Sequence, residues 1–147
     1  MGLDIFPLLQ DSIALRTVIS RFSQLLVPIG KIDVVVGVET PGCLLGPILA
    51  MNLDAAFVPF WTRGELVGER ITMDYGMDVL EMPANAIRPG QSAVVIGGLL
   101  SMGISAQAAG KIITRLGGRT LQYLFLAELA FMGNIMIDAP QYSMIRI

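Results

Sequence analysis

The stretch with the clearest layout for chemistry has no side chain to perform it. Ser92 to Ser105 reads SAVVIGGLLSMGIS. An apolar run reaches Gly97 and Gly98, two leucines follow, and Ser101, Met102, Gly103, Ile104 and Ser105 form a short Ser/Gly loop. This is the layout of a strand that stops at a ligand and hands it to a helix N-terminus, where backbone N–H groups favour an anion. Yet the stretch contains no acid, no base and no threonine. Other candidates are scattered: Glu39 after a β-branched run, Trp61 and Arg63 after another, and Asp74 and Asp78 in a polar segment. There is no histidine, which excludes histidine catalysis and His-ligated metal. Cys43 is the one cysteine, so an intramolecular disulfide and a CxxC site are excluded too. Set among Gly42, Leu44 and Leu45, it reads as a small buried hydrophobe in a reducing compartment.

The elements that must position these residues alternate. Ser12 to Leu26 has amphipathic helical spacing, with Asp11 or Ser12 to cap it and Pro28 and Gly30 to stop it. KIDVVVGVE is a continuous β-branched run ending at Gly37, which suits a strand buried on both faces. PGCLLGPILAMNL reads as a turn and a helix closed by Asn52, and AAFVPFW as a second buried strand. Thr62 to Asp78 is polar and glycine-bearing, the best candidate for a mobile loop. AIRPGQSAVVIGG leads into a third strand ending near Gly97. SAQAAGKIITRLGG is a helix with a glycine stop, RTLQYLFLAEL another strand, and YSMIRI a last short one. The pattern predicts one α/β domain over residues 1–147, with a mostly parallel twisted sheet flanked by helices. Ligands bind such sheets at the carboxyl ends of the strands, here Glu39–Gly42, Trp61–Gly64 and Gly97–Ser105.

Composition narrows the partners. Ten basic and twelve acidic residues give a net charge of −2, which offers nothing to nucleic acid or an anionic membrane. Hydrophobic residues make up 54% of the 147 and charged residues 15%, against a usual ~25% charged, so a partly sticky surface is expected. Pro89 to Gly110 carries no charge and is long enough to span a bilayer. Its five glycines, three serines and two glutamines fit a strand, turn and helix better, and no membrane association is expected. The start, MGLDIF, lacks the features of a myristoylation or secretory signal.

In order and spacing, KIDVVVGVETPGCLLGPILAMNL, FVP…RGELVG, DYGMDVLEMPANAIRPGQ and AVVIGGLLSMGISAQAAGKIITRLGG resemble the adenine phosphoribosyltransferases, over nearly the whole chain. The resemblance implies a type I phosphoribosyltransferase fold. It also implies a cytoplasmic homodimer that joins adenine to phosphoribosyl pyrophosphate with Mg²⁺ to make AMP. Against that pattern the chain departs where chemistry belongs. Two adjacent acids that hold the ribose hydroxyls are Gly97 and Gly98 here. A loop of Ala-Thr-Gly-Gly-Thr type around the 5′-phosphate is Ser101, Met102, Gly103, Ile104, Ser105. In the pyrophosphate region, Glu39, Thr40, Pro41, Gly42, an arginine is replaced by Pro41. Trp61, Thr62 and Glu65 stand in a cluster that is basic in the family, leaving Arg63. The family's N-terminal closing segment is missing, Leu3 replaces an arginine, and the mobile loop is several residues short.

The remaining residues carry two readings each. Glu39 is either a ribose or metal contact or a solvated strand-end acid. Arg63 binds an anion or pairs with Glu65 or Glu69. Asp74 and Asp78 form a metal pair or face solvent, and Trp61 anchors a partner or is inert. Met73, Met77, Met82 and Met102 form an adaptable surface or fill the core. No confident catalytic residue and no metal site emerges. Catalysis is therefore expected to be lost, in a natural pseudoenzyme or an engineered variant that acts through protein contacts as a homodimer or with another protein. The alternative is an active or weakly active enzyme of AMP salvage, which would need Mg²⁺. A third reading is weak adenine or AMP binding through backbone groups. No cofactor is expected unless the chain is active.

Overall fold

The computed structural model describes residues 3–62, 64, 69–75, 78–100, 103–130 and 137–147. A short helix α1 (Phe6–Leu9) precedes α2 (Ser12–Leu26). Asp11 caps α2, its Oδ1 accepting from the N–H groups of Ile13 and Ala14, both at 3.1 Å. The expected apolar stripe holds for Ile19, Phe22 and Leu26, which are buried with Val18. It fails at Ile13, which is 77% exposed in the first turn. Pro28 does not end the helical path at once, because Val27–Ile29 adds a 3₁₀ turn closed by Gly30 at φ 104°.

Next come β1 (Val34–Val38), α3 (Glu39–Leu53) and β2 (Ala56–Thr62), then β3 (Arg70–Tyr75) and β4 (Asp78–Pro83). The chain finishes with β5 (Ser92–Leu100), α4 (Ile104–Arg115), β6 (Arg119–Glu128) and β7 (Gln141–Arg146). The seven strands form one sheet in the order β3-β4-β2-β1-β5-β6-β7. β2, β1, β5, β6 and β7 run parallel, while β4 is antiparallel to both β2 and β3. Successive strand residues face opposite sides. Val35, Val94, Ile96 and Leu124 meet α2 and α3 on one face, and Val34, Val36, Val95 and Phe125 meet α4 on the other. Helices cover both faces, which is why the central strands read as unbroken apolar runs. The uncharged stretch 89–110 divides into β5 and α4, and among the described residues no helix is long and apolar enough to cross a membrane.

Three expectations need correction. The polar segment 62–78 is not simply a loop: β3 and β4 pair as a hairpin from Arg70↔Pro83 to Tyr75↔Asp78. Its glycines and charges masked an apolar alternation, in which Ile71, Leu80 and Met82 join the core. β5 does not end near Gly97. Its ladder to β6 continues through Gly97↔Phe125, Leu99↔Ala127 and Leu100↔Glu128. Finally, no turn separates β1 from α3. The helix starts at Glu39 and closes beyond Asn52, where Asp54 adopts a left-handed conformation at φ 56°. Proline tolerates the first helical turn, where its missing N–H has no intrahelical partner to lose, so Pro41 did not mark a turn.

Candidate functional site

Strand connections lead from β1 to β2 on one side and on to β5 on the other, so the order reverses between β1 and β5. A crevice at such a reversal, beyond the strand carboxyl ends, is where open α/β sheets bind ligands. The structure brings Glu39, Thr40, Pro41 and Gly42 of α3 to this point. It also brings Gly97 and Gly98 of β5, and Gly103, Ile104 and Ser105 at the start of α4. Arg63, Ser101 and Met102 lie outside the described residues, as do Glu65 and Met77 and the side chains of Thr62, Met73, Asp74 and Asp78.

The first turn of α3 is held tightly. Glu39 has a left-handed backbone, φ 59°, which is costly for a non-glycine residue and persists only where its surroundings fix it. Its carboxylate crosses the crevice, and Ser105 Oγ donates to Glu39 Oε1 at 2.6 Å. Ser105 is nearly buried in the first turn of α4, a turn with no acid of its own, so Glu39 places negative charge at that helix's N-terminus. Gly103 caps α4 at φ 72°. Gly42 lies directly on β5: a Cβ there would stand 2.2 Å from the Ile96 carbonyl oxygen. A Cβ on Gly98 would meet Pro41 Cβ and Cγ at 2.7 Å, and one on Gly97 would meet Val38 Cγ2 at 2.9 Å and Phe125 Cε1 at 3.2 Å. Thr40 is exposed, and Trp61 is 39% exposed at the end of β2.

Cys43 packs beside this turn, its Sγ 3.5 Å from the Gly37 carbonyl oxygen. Burial pushes the thiol up to about 11, with a backbone hydrogen bond at Phe60 opposing weakly. At pH 8 a shift from 9.0 to about 11 lowers the thiolate fraction roughly a hundredfold. Iodoacetamide should therefore alkylate the folded chain about 100-fold more slowly than the urea-unfolded chain at that pH. Equal rates would contradict the burial. Because the folded value is raised, the stability tied to the neutral thiol is full below pH 9 and is lost as pH rises towards 11.

One residue near the site was not singled out from sequence. Glu81 of β4 is fully buried opposite Trp61. It accepts from the Gly64 N–H at 2.8 Å, and Arg70 Nε lies 3.3 Å from its other oxygen. A lone acid inside the apolar run DVLEMP was the available signal, since a buried carboxylate must be paired. Met82 proves to be core. Among the described residues no group of three or more His, Cys, Asp or Glu side chains could hold a metal ion.

The chain has close relatives. It is 37% identical to the adenine phosphoribosyltransferase of Yarrowia lipolytica over 97% of its own length and 82% of that protein. It is 39% identical to that of Alkaliphilus metalliredigens over 89% of its length and 79% of that protein. No family model matches. Among solved structures, the adenine phosphoribosyltransferase of Thermoanaerobacter pseudethanolicus superposes with a TM-score of 0.92 at 30% identity, covering 99% of this chain and 88% of that one. The Saccharomyces cerevisiae enzyme, complexed with D-2,5-dideoxy-2,5-imino-altritol 1,6-bisphosphate and adenine, gives 0.87 at 34% identity, covering 95% and 84%. With such identity spread over most of each partner, and the same sheet beneath it, the chain belongs to the adenine phosphoribosyltransferase family.

Proposed function

We propose that this chain is a family member, folded as one domain, that has lost phosphoribosyl transfer and acts through protein contacts. The observation that carries the reading is that β5 reaches the crevice with two buried glycines where carboxylates would have to stand. Positioning and electrostatics supply most of what the transfer asks of a protein. The described residues of the crevice supply little of either. Pro41 offers no charge to a pyrophosphate, and Glu39 presents a negative one. Mg²⁺ would neutralise pyrophosphate charge if bound, but the described residues do not fit it: Glu39 is the one acid at the described part of the crevice, and its carboxylate is engaged by Ser105. In the sequence, Arg63 is the basic residue that its cluster keeps. Adenine or AMP bound weakly through backbone groups is the lesser reading. It draws on the adenine held by the yeast relative.

The proposed partner is a second copy. Leu44, Ile48 and Met51 fall at helical spacing along the outward side of α3, and all three are exposed, Met51 at 84%. With Trp61 they give an aromatic anchor and an aliphatic stripe on a low-charge surface. A homodimer is expected by sedimentation at micromolar concentration, and Met51→Asp with Ile48→Asp should shift it to monomer. A wild-type monomer would contradict it. The half-buried free thiol suits a reducing compartment, and the cytoplasm is the proposed location. The decisive assay for lost transfer is Mg²⁺-dependent AMP formation from adenine and phosphoribosyl pyrophosphate. A rate typical of an enzyme would overturn the reading.

A further inference from the structure

We infer that Pro41 determines what the crevice between β1 and β5 can hold, because a proline at 41 and an acid at 98 exclude one another. This deepens the reading above and rests on it: position 98 has not merely lost a carboxylate, since its space is taken.

The two glycines are small for different reasons. Gly97 faces the α4 side of the sheet, where Val38 and Phe125 fill the space; both are buried members of the core. Gly98 faces the other side, where the three nearest atoms among the described residues all belong to the Pro41 ring, Cβ and Cγ at 2.7 Å from a built Cβ and Cδ at 3.8 Å. A flexible side chain could swing its Cγ away from such a contact, although not its Cβ, which any residue but glycine would keep there. A pyrrolidine ring cannot, because it is closed on its own backbone. The backbone is anchored on both flanks. On one side Gly42 lies against the Ile96 carbonyl, and a Cβ on Gly37 would stand 2.5 Å from the Gly42 carbonyl oxygen. On the other, Glu39 is bonded across the crevice to Ser105 at 2.6 Å. The first turn of α3, half-buried at Pro41, is therefore pinned against the sheet, and its proline is the part that touches β5 at residue 98. Position 97 answers to the core, position 98 to Pro41.

A double-mutant cycle read by melting temperature tests this without any turnover, so its outcome is separable from the AMP assay. Alone, Gly98→Ala should lower Tm by about 3–10 °C, from an overpacking cost spread over a chain of this size. In a Pro41→Gly background the same change should lower Tm by less than about 2 °C. Gly97→Ala is the internal comparison and should cost the same with or without Pro41. Gly98→Asp should follow Gly98→Ala in sign; if it does not fold alone, folding in the Pro41→Gly background supports the exclusion, and the alanine cycle decides the matter. An equal Tm loss from Gly98→Ala in both backgrounds would overturn the inference, because independent sites add. Equal relief of Gly97→Ala by Pro41→Gly would overturn it as well.

Discussion

Supplied with adenine, phosphoribosyl pyrophosphate and Mg²⁺, the purified chain is expected to form AMP on the order of 10²- to 10⁴-fold more slowly than a typical enzyme. A hydrogen bond to a charged group contributes roughly 1.5–3 kcal/mol, so two absent carboxylates on a ribose remove about 3–6 kcal/mol. At about 1.36 kcal/mol per tenfold, that range gives the stated loss. One feature pushes it further. Pro41 contributes no positive charge to the pyrophosphate side. The contributions share one ligand and do not simply add, but the ribose loss is enough to silence the reaction. Replacing Gly97 and Gly98 together with aspartate is not expected to restore it, since both positions face filled space. AMP formation within tenfold of a typical enzyme, dependent on Mg²⁺, would count decisively against this.

Gly42→Ala is expected to destabilise the fold by about 3–5 kcal/mol, beyond the roughly 1–3 kcal/mol of ordinary overpacking. The new methyl would stand 2.2 Å from the Ile96 carbonyl oxygen and 3.2 Å from the carbonyl carbons of Ile96 and Gly37. Those atoms belong to β1 and β5, the centre of the sheet, so neither can give way without disturbing its ladder. α3 would have to lift, loosening Leu45 and Leu49 from the core. Alanine's better helix propensity, about 1 kcal/mol, offsets little. Typical domains have only 5–15 kcal/mol in total, so the variant should melt about 10 °C or more below the parent. A change under about 2 °C would show that α3 is not pressed against β5 as the structure has it.

The sequence made α2, β1, β5, α4 and β6 legible because their burial follows directly from apolar period or run length. It concealed the first turn of α3, where Pro41 and Gly42 look like turn residues. Their actual uses are a proline tolerated at a helix start and a glycine required by close contact, and only the fold distinguishes these from a turn. The continuation of β5 past Gly97 was hidden for a related reason. Glycine weakens a strand locally, but pairing to Phe125, Ala127 and Glu128 overrides that preference. In the site, the residue types at 41, 97 and 98 could be read from the sequence, and their bearing on transfer rests on the proposed function. That Pro41 fills the side of Gly98 could not be read there, because nothing in one dimension says which of two strand faces a missing side chain would occupy. Glu81 went unnoticed because a single acid in a short run just past a polar segment draws no attention until its strand is known to be buried.

The docking of α2 has a consequence for how the chain is made. Phe22, fully buried, meets Tyr142 of β7 edge-on with centroids 6.3 Å apart, and the neighbouring Arg21 lies over the same ring, 5.3 Å from its centroid, with Nε donating to Tyr142 Oη at 3.2 Å. Arg21 and Tyr142 are 121 residues apart. At about 5–20 residues per second, translation brings Tyr142 out roughly 6–24 s after α2. Through that interval the face of α2 that will cover β6 and β7 waits on a ribosome-bound chain without its last partner. Phe22, sealed in the finished fold, lacks the ring of Tyr142 over its edge until the last strand arrives.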